Sequence, residues 1–225
     1  MSILWYILIG LILALLGWFV ISLIWGKPWS INLHYARTFL RFALESPELL
    51  THLGMLEKMG LHGHNAKLAD ASVARETREF RRGARDLRIL RSYDRQRQSK
   101  AQLLSTDIMD WFMDDQARRE PFRFHDYPLN QMFGVQSELP NFMLTIHPLV
   151  SKVEAHNYIR RLSKFGVKFD QVLEGLKMRE QKGVIPPRFV IRRVLDEMTA
   201  FAGQPATENP LYTVFKEKTN GLKLD

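Results

Sequence analysis

Hydrophobic and polar positions divide the chain into one long apolar run and a remainder with helical periodicity. The apolar run extends from Ile3 to Trp25 and contains no charged side chain; fifteen of its 23 residues are Leu, Ile, Phe or Val. A helix of that length is about 34 Å long, which exceeds the hydrocarbon core of a bilayer at about 30 Å. The pattern predicts a single N-terminal transmembrane helix, and we assign residues 1–26 to this anchor.

The flanks of the run favour a retained anchor over a cleaved signal peptide. No Lys or Arg precedes the run, and no small-x-small cleavage site follows it. Tryptophan and tyrosine near both ends suit the interfacial belts of a membrane. The nearby basic residues Lys27, Arg37 and Arg41 all follow the run, and charge bias alone would keep the rest of the chain in the cytoplasm.

Residues 27–225 show apolar spacings of three and four between short breakers, and little of the alternation that is typical of strands. Ser46-Pro47-Glu48 is a helix start, and Ser151-Lys152-Val153-Glu154 is a capping box. We predict an all-α soluble domain with one long ordered loop at residues 121–140. An amphipathic segment at 32–46 leads into about seven helices: 46–60, 72–92, 100–119, 151–165, one that ends at Gly183, 186–203 and 209–218.

Apolar residues share one side of several of these helices. In the segment 32–46 they are Leu33, Ala36, Leu40 and Ala43–Leu44. In the helix 186–203 we expect the apolar residues to point inward: Val190, Ile191, Val194, Leu195, Met198 and Phe201.

Composition restricts the chemistry. The chain has no cysteine, which excludes disulfides, thiolate metal sites and a cysteine nucleophile. Most of the net charge of +8 comes from residues 75–100, which contain ten basic and four acidic residues. Five arginines form one stripe that could contact an anionic lipid surface or a partner: Arg78, Arg81, Arg82, Arg85 and Arg88. A solvated or internally paired helix face is the other interpretation, and without an aromatic stacking platform nucleic acid is not expected as a partner.

Three further groups of residues are candidates for chemistry. His62 and His64 could begin a metal site, but loop histidines in hydrogen bonds are the commoner arrangement. A carboxylate cluster at Asp114, Asp115 and Glu120 could serve acid–base chemistry or simply end a helix beside arginines. In the aromatic loop, four polar side chains could line a pocket or could cap the loop backbone: His125, Asn130, Gln131 and Gln136.

Several long strings resemble the bacterial DUF885 family: LRSYDRQ, DIMDWFMDDQARREPFRFHDYPLNQMFGVQSELPNFM, KFDQVLEGLKMREQKGVIPP and NPLYTVFKEK. GKPWSIN and SPELLTHLGMLE are similar to membrane-tethered members. The resemblance implies a relation to large helical zinc metallopeptidases, whose H-E-x-x-P-G-H-H type motif lies far toward the C-terminus of longer chains. That motif is absent here, so we expect the N-terminal part of such a protein, a truncated product that is not catalytic by itself.

The resemblance also implies location and partners. It implies the bacterial inner membrane with the soluble domain in the periplasm, against the charge bias. No cofactor is expected in this chain, since zinc would belong to full-length relatives. The expected partners are the lipid bilayer and the missing C-terminal half or another protein. The alternative function is a non-enzymatic, membrane-tethered binding module.

Overall fold

A computed structural model of the chain describes Trp5, Gly10 and residues 26–222. The predicted membrane segment therefore lies outside the described residues, apart from two positions. None of the helices in the described part combines the length and the apolar character needed to cross a bilayer.

The described residues form an all-α structure without strands, as the sequence predicts. Nine α-helices are present in this part of the chain, against the predicted segment and about seven helices. They are α1 (Ile31–Leu44), α2 (Pro47–Leu53), α3 (Val73–Arg91), α4 (Lys100–Arg119), α5 (Val135–Thr145), α6 (Lys152–Leu162), α7 (Phe165–Gln181), α8 (Arg188–Ala202) and α9 (Pro210–Thr219). Short 3-10 helices lie at Glu57–Met59, Gly63–Ala66, Arg95–Arg97 and Glu120–Phe122.

The predicted helix starts are largely confirmed by their caps. The Ser151 side chain accepts a hydrogen bond from the Glu154 amide at 3.3 Å, and Ser72 accepts one from the Arg75 amide at 3.2 Å. Asn209 caps α9 through the Leu211 amide at 3.0 Å. Each cap satisfies an amide at the start of a helix that has no partner within the helix.

Two predicted boundaries are wrong. The helix expected to reach Gly60 ends at Leu53, because Gly54 adopts a left-handed conformation (φ 60°) that terminates it. The loop expected to reach Pro140 ends earlier, since α5 already begins at Val135 and contains that proline. Burial of Leu139 and Met143 on α5 offsets the hydrogen bond that proline cannot make.

The chain divides into two compact units. Unit 1 combines the residues up to Phe42 with Glu79–Arg118, and unit 2 combines Ala43–Arg78 with residues from Arg119 onward. The core of unit 1 is built from α1, α3 and α4: Ile31, Leu87, Leu90 and Met113, with Tyr35, Tyr93 and Met109 packed against them. The core of unit 2 joins α5, α6 and α9: Met143, Leu149, Ala155 and Tyr158, with Phe142, Leu162, Phe165, Leu211 and Phe215.

Helix α1 has its polar residues inside and much of its apolar side outside. His34 is fully buried, and Arg37 is buried with its guanidinium 3.4 Å from Asp86 of α3. Phe39 and Leu40 are each more than half exposed. Of the apolar side that the sequence groups together, Ala43 is therefore packed, whereas Leu40 and Leu44 remain exposed.

Helix α8 follows its predicted inward face only in part. Val190 and Val194 are buried, as expected, whereas Ile191 and Leu195 remain exposed. The apolar stripe of α8 is wider than the surface available to cover it. Four of its six residues line a groove described below: Ile191, Val194, Leu195 and Met198.

Candidate functional site

The guanidinium of Arg161 on α6 is buried in unit 2, within a network of polar side chains. We call this network the polar centre of unit 2; its members are Arg161, Thr51, Glu57, His62, His64, Asn65, His147 and Glu154. Its Nε donates to the Lys67 carbonyl at 2.8 Å, and its Nη2 donates to the His64 carbonyl at 2.8 Å. The same nitrogen reaches the Thr51 hydroxyl at 2.9 Å, and Nη1 lies 3.0 Å from Nδ1 of His147. The side chain thus ties α2, the 3-10 helix Gly63–Ala66 and the loop before α6 to the C-terminal end of α6.

Each of the two loop histidines, His62 and His64, contacts a carboxylate on a different helix. His62 Nδ1 contacts Glu154, the buried N3 residue of α6. His64 Nε2 lies 2.9 Å from Glu57 of a 3-10 helix. Fully buried Asn65 donates to both carboxylates, at 2.9 Å to Glu57 and 3.1 Å to Glu154.

This pattern has a direct bearing on the metal hypothesis. The histidines face different carboxylates, and no group of three or more potential ligands among the described residues is arranged to hold a metal. Sequence reasoning missed Glu57 and Glu154 as the partners, because the contact between His62 and Glu154 joins residues 92 positions apart. The capping box in the sequence includes Glu154, and the Glu154 side chain contacts His62 and Asn65 in the polar centre.

The electrostatics of the polar centre keep His147 neutral. Burial, followed by the nearby Arg161 charge, lowers the pKa of His147 to about 4. Burial also lowers the pKa of Arg161 to about 10, which leaves its guanidinium charged at neutral pH. A neutral His147 accepts from Arg161 through Nδ1, and its Nε2 faces the Glu154 carbonyl at 3.4 Å.

The aromatic loop is held by two of the four polar residues that the sequence singles out. The Asn130 side chain accepts from the amides of Met132 and Phe133, at 2.9 and 2.7 Å. Buried Gln136 donates to the Asn130 carbonyl at 2.7 Å. These contacts are those of residues that cap a loop backbone.

The other two residues, His125 and Gln131, are exposed. The His125 ring makes an edge contact with Phe122, with centroids 5.7 Å apart. The structure therefore brings Asn130 and Gln136 together and leaves His125 and Gln131 apart from them.

An apolar groove of about 260 Å³ lies beside this loop, between α7 and α8. None of the four polar loop residues lines it; their neighbours Tyr127, Pro128 and Leu129 do. The other walls are apolar side chains of two helices and the turn between them: Leu173, Leu176, Val184, Ile185, Pro186, Ile191, Val194, Leu195 and Met198. Charged residues border the groove: Asp126, Lys177, Arg179 and Glu180.

Arg179 fixes the loop against α7 at one end of this groove. Its guanidinium donates to the Asp126 carboxylate, with Nε at 2.9 Å, and also to the Gly175 carbonyl at 3.1 Å. The guanidinium carbon lies 5.5 Å from the ring centre of buried Phe124. The groove wall is therefore held by a buried cation and not by loop packing alone.

The predicted arginine stripe lies on α3, and four of its members are in unit 1. Arg81, Arg85 and Arg88 are exposed. Arg88 donates to the Ala84 carbonyl of its own helix at 3.4 Å, and Arg82 also has a partner. Arg78, in unit 2, lies 3.4 Å from Asp70.

The predicted carboxylate cluster is not gathered into one site. Asp114 binds Arg91 at 2.8 Å and Arg118 at 2.6 Å within unit 1. Hydrogen bonds from Arg91 keep the pKa of Asp114 below its usual range, as expected for an ion-paired carboxylate and not for a general acid. Asp115 has a separate partner, and Glu120 begins a 3-10 helix in unit 2.

The lowered pKa of His147 predicts acid sensitivity. Between about pH 6.5 and pH 4 the unfolded state binds a proton at this residue and the folded state does not, so stability falls as pH falls. We expect the free energy of unfolding to fall by about 3 kcal/mol between about pH 6.5 and pH 4. Thermal and urea unfolding at several pH values in this range measure the loss.

Two histidine variants test the assignment of this loss. His147→Gln should flatten the pH dependence of unfolding, and His156→Gln, at an exposed position, should leave it unchanged. Burial lowers the pKa of His34 as well, so a smaller slope of the same sign should remain. An unchanged slope in His147→Gln would contradict the assignment.

The loop geometry predicts that Gly134 cannot carry a side chain. A Cβ at this position would lie 2.6 Å from both the amide nitrogen and the carbonyl oxygen of Asn130. Gly134→Ala should therefore lower the free energy of unfolding by about 1–3 kcal/mol, measured by urea titration.

Gly166→Ala on α7 is the matched control. No atom lies within 4 Å of a Cβ there, so stability should stay the same or rise by up to about 1 kcal/mol. Equal stability of the two variants would show that the Asn130 turn does not constrain position 134.

Comparisons with known proteins identify one family. A family model described as bacterial protein of unknown function (DUF885) matches residues 47–224, more than three quarters of the 225-residue chain. No curated protein and no solved structure matches the chain. The matched residues include all of α2 to α9, the polar centre of unit 2 and the groove. The chain therefore belongs to the DUF885 family.

Proposed function

We propose that this chain is a membrane-anchored helical binding module that receives an apolar segment of polypeptide in the groove between α7 and α8. The observation that carries the proposal is the apolar surface left uncovered on both helices. Leu173 on α7 is 49% exposed and Leu195 on α8 is 56% exposed, although both belong to the apolar sides of their helices. Exposed apolar surface rimmed by charge is typical of interaction sites.

The size and the edge of the groove favour a polypeptide over a small ligand. Small-molecule sites usually enclose about 300–1,000 Å³, and this groove of about 260 Å³ lies below that range. An amphipathic helix would place a row of apolar side chains into such a groove, as in other helix-in-groove complexes. Lys177 and Glu180 at the rim supply charges of both signs for its polar flanks.

The anchor is part of the same proposal. Residues 3–25 would span the bilayer, and the resemblance to membrane-tethered members supports a bacterial inner-membrane protein with its helical part in the periplasm. A relation to zinc metallopeptidases is likewise proposed, on the resemblance of the strings given above. In that relation we assign structure and binding to the described residues.

The groove proposal predicts a specific loss on charge insertion. The full chain in lipid nanodiscs should bind labelled peptides of about 15 residues with leucines spaced three and four apart, measured by fluorescence anisotropy. Leu173→Glu should weaken this binding at least about tenfold, because a carboxylate would be buried without a partner. Val167→Glu is the control, since Val167 is 61% exposed on the same helix and lies outside the groove lining.

Scrambled peptides of the same composition should not bind. Two results would rule out the groove as the site: equal binding by Leu173→Glu and Val167→Glu, or no difference between patterned and scrambled peptides.

The non-catalytic part of the proposal is tested by metal content. Because His62 and His64 already pair with Glu154 and Glu57, we expect the purified chain to bind no stoichiometric zinc. Elemental analysis after dialysis against zinc measures this directly. One equivalent of retained zinc, lost in His62→Gln, would overturn it.

A further inference from the structure

Helix α1 exposes a patch of large apolar side chains. Phe39, Leu40 and Phe42 are between 55% and 61% exposed, on a helix whose opposite side holds buried His34 and Arg37. A soluble helix normally has the reverse arrangement. We therefore expect this patch to contact a nonaqueous surface.

The chain itself limits how far this helix can be from the proposed anchor. The apolar run ends at Trp25 and α1 begins at Ile31, so the connection spans at most about 20 Å even when fully extended. The connection is also bonded to unit 1. Arg37 donates to the Gly26 carbonyl at 2.6 Å, and the Tyr93 hydroxyl donates to the Pro28 carbonyl at 2.5 Å.

These bonds restrict α1 to the neighbourhood of the point where the anchor would leave the bilayer. Trp29, in the same connection, is 62% exposed, and tryptophan is enriched at membrane–water interfaces. Continuity of the chain thus identifies a bilayer as the surface nearest to the apolar patch.

The polar side of α1 is held against unit 1 by ion pairs. Arg37 and Arg41, one helical turn apart, both contact Asp86 of α3, at 3.4 and 3.7 Å. These contacts fix which side of α1 is packed and leave Phe39 and Phe42 exposed on the other side.

We propose that the apolar side of α1 forms a membrane-docking surface of unit 1. Phe39, Leu40 and Phe42 insert at the level of the headgroups. This proposal rests on the anchoring of residues 3–25, because the tether is what brings α1 to the bilayer.

The absence of native cysteine allows a direct test, since one introduced cysteine carries the only label. A nitroxide is placed at Leu40→Cys in the full chain, in nanodiscs of phosphatidylcholine with phosphatidylglycerol. Its accessibility to oxygen, relative to a water-soluble nickel complex, should be several-fold higher than that of a label at Gln96→Cys.

Gln96 is the control within unit 1. It is exposed on the 3-10 helix Arg95–Arg97, whose surface is polar: Arg95 lies 2.7 Å from Asp107, and Arg97 lies 3.3 Å from Asp94. A label at position 96 should therefore remain in water.

Three outcomes separate the docking surface from the anchor. Release of the chain from membranes by carbonate would overturn the anchor and the docking surface together. A membrane-retained chain with a water-exposed label at position 40 would overturn the docking surface alone. A label shielded from both reagents in detergent would identify a protein neighbour and also overturn it.

Discussion

The buried charge of Arg161 is the constraint on which unit 2 depends. An uncompensated guanidinium in a protein interior would cost several kcal/mol, so the chain must bring oxygen and nitrogen acceptors to it. The acceptors come from Lys67, His64, Thr51 and His147, which lie up to 110 residues away in sequence. Satisfying this one side chain therefore fixes how α2, the 3-10 segment Gly63–Ala66 and α6 meet.

The same network includes the two histidines that the sequence marks as candidate metal ligands. Glu57 and Glu154 supply negative charge near Arg161, and Asn65 holds both carboxylates while it accepts from Thr51 at 2.6 Å. His62 contacts Glu154, and His64 lies 2.9 Å from Glu57. In unit 2 these side chains therefore form one connected hydrogen-bond network.

The proposed binding surfaces lie where helices present more apolar area than their neighbours cover. Helices α7 and α8 share such an excess at the groove, and α1 carries one beside the proposed anchor. The Asp126–Arg179 pair holds the loop that forms the third wall of the groove. In this member of the DUF885 family, both surfaces that we propose for binding are therefore exposed apolar helix faces.

The sequence by itself determined the helical class, most helix starts and the family, because caps, breakers and three-to-four spacing are local. The α4 bounds and the Ser151 cap needed no tertiary information. It could not determine which side of α1 is buried, since a buried Arg37 requires Asp86 from 49 residues away. Nor could it find the partners of His62 or the groove, because these depend on contacts between distant segments, and only the tertiary structure decides which helix faces meet.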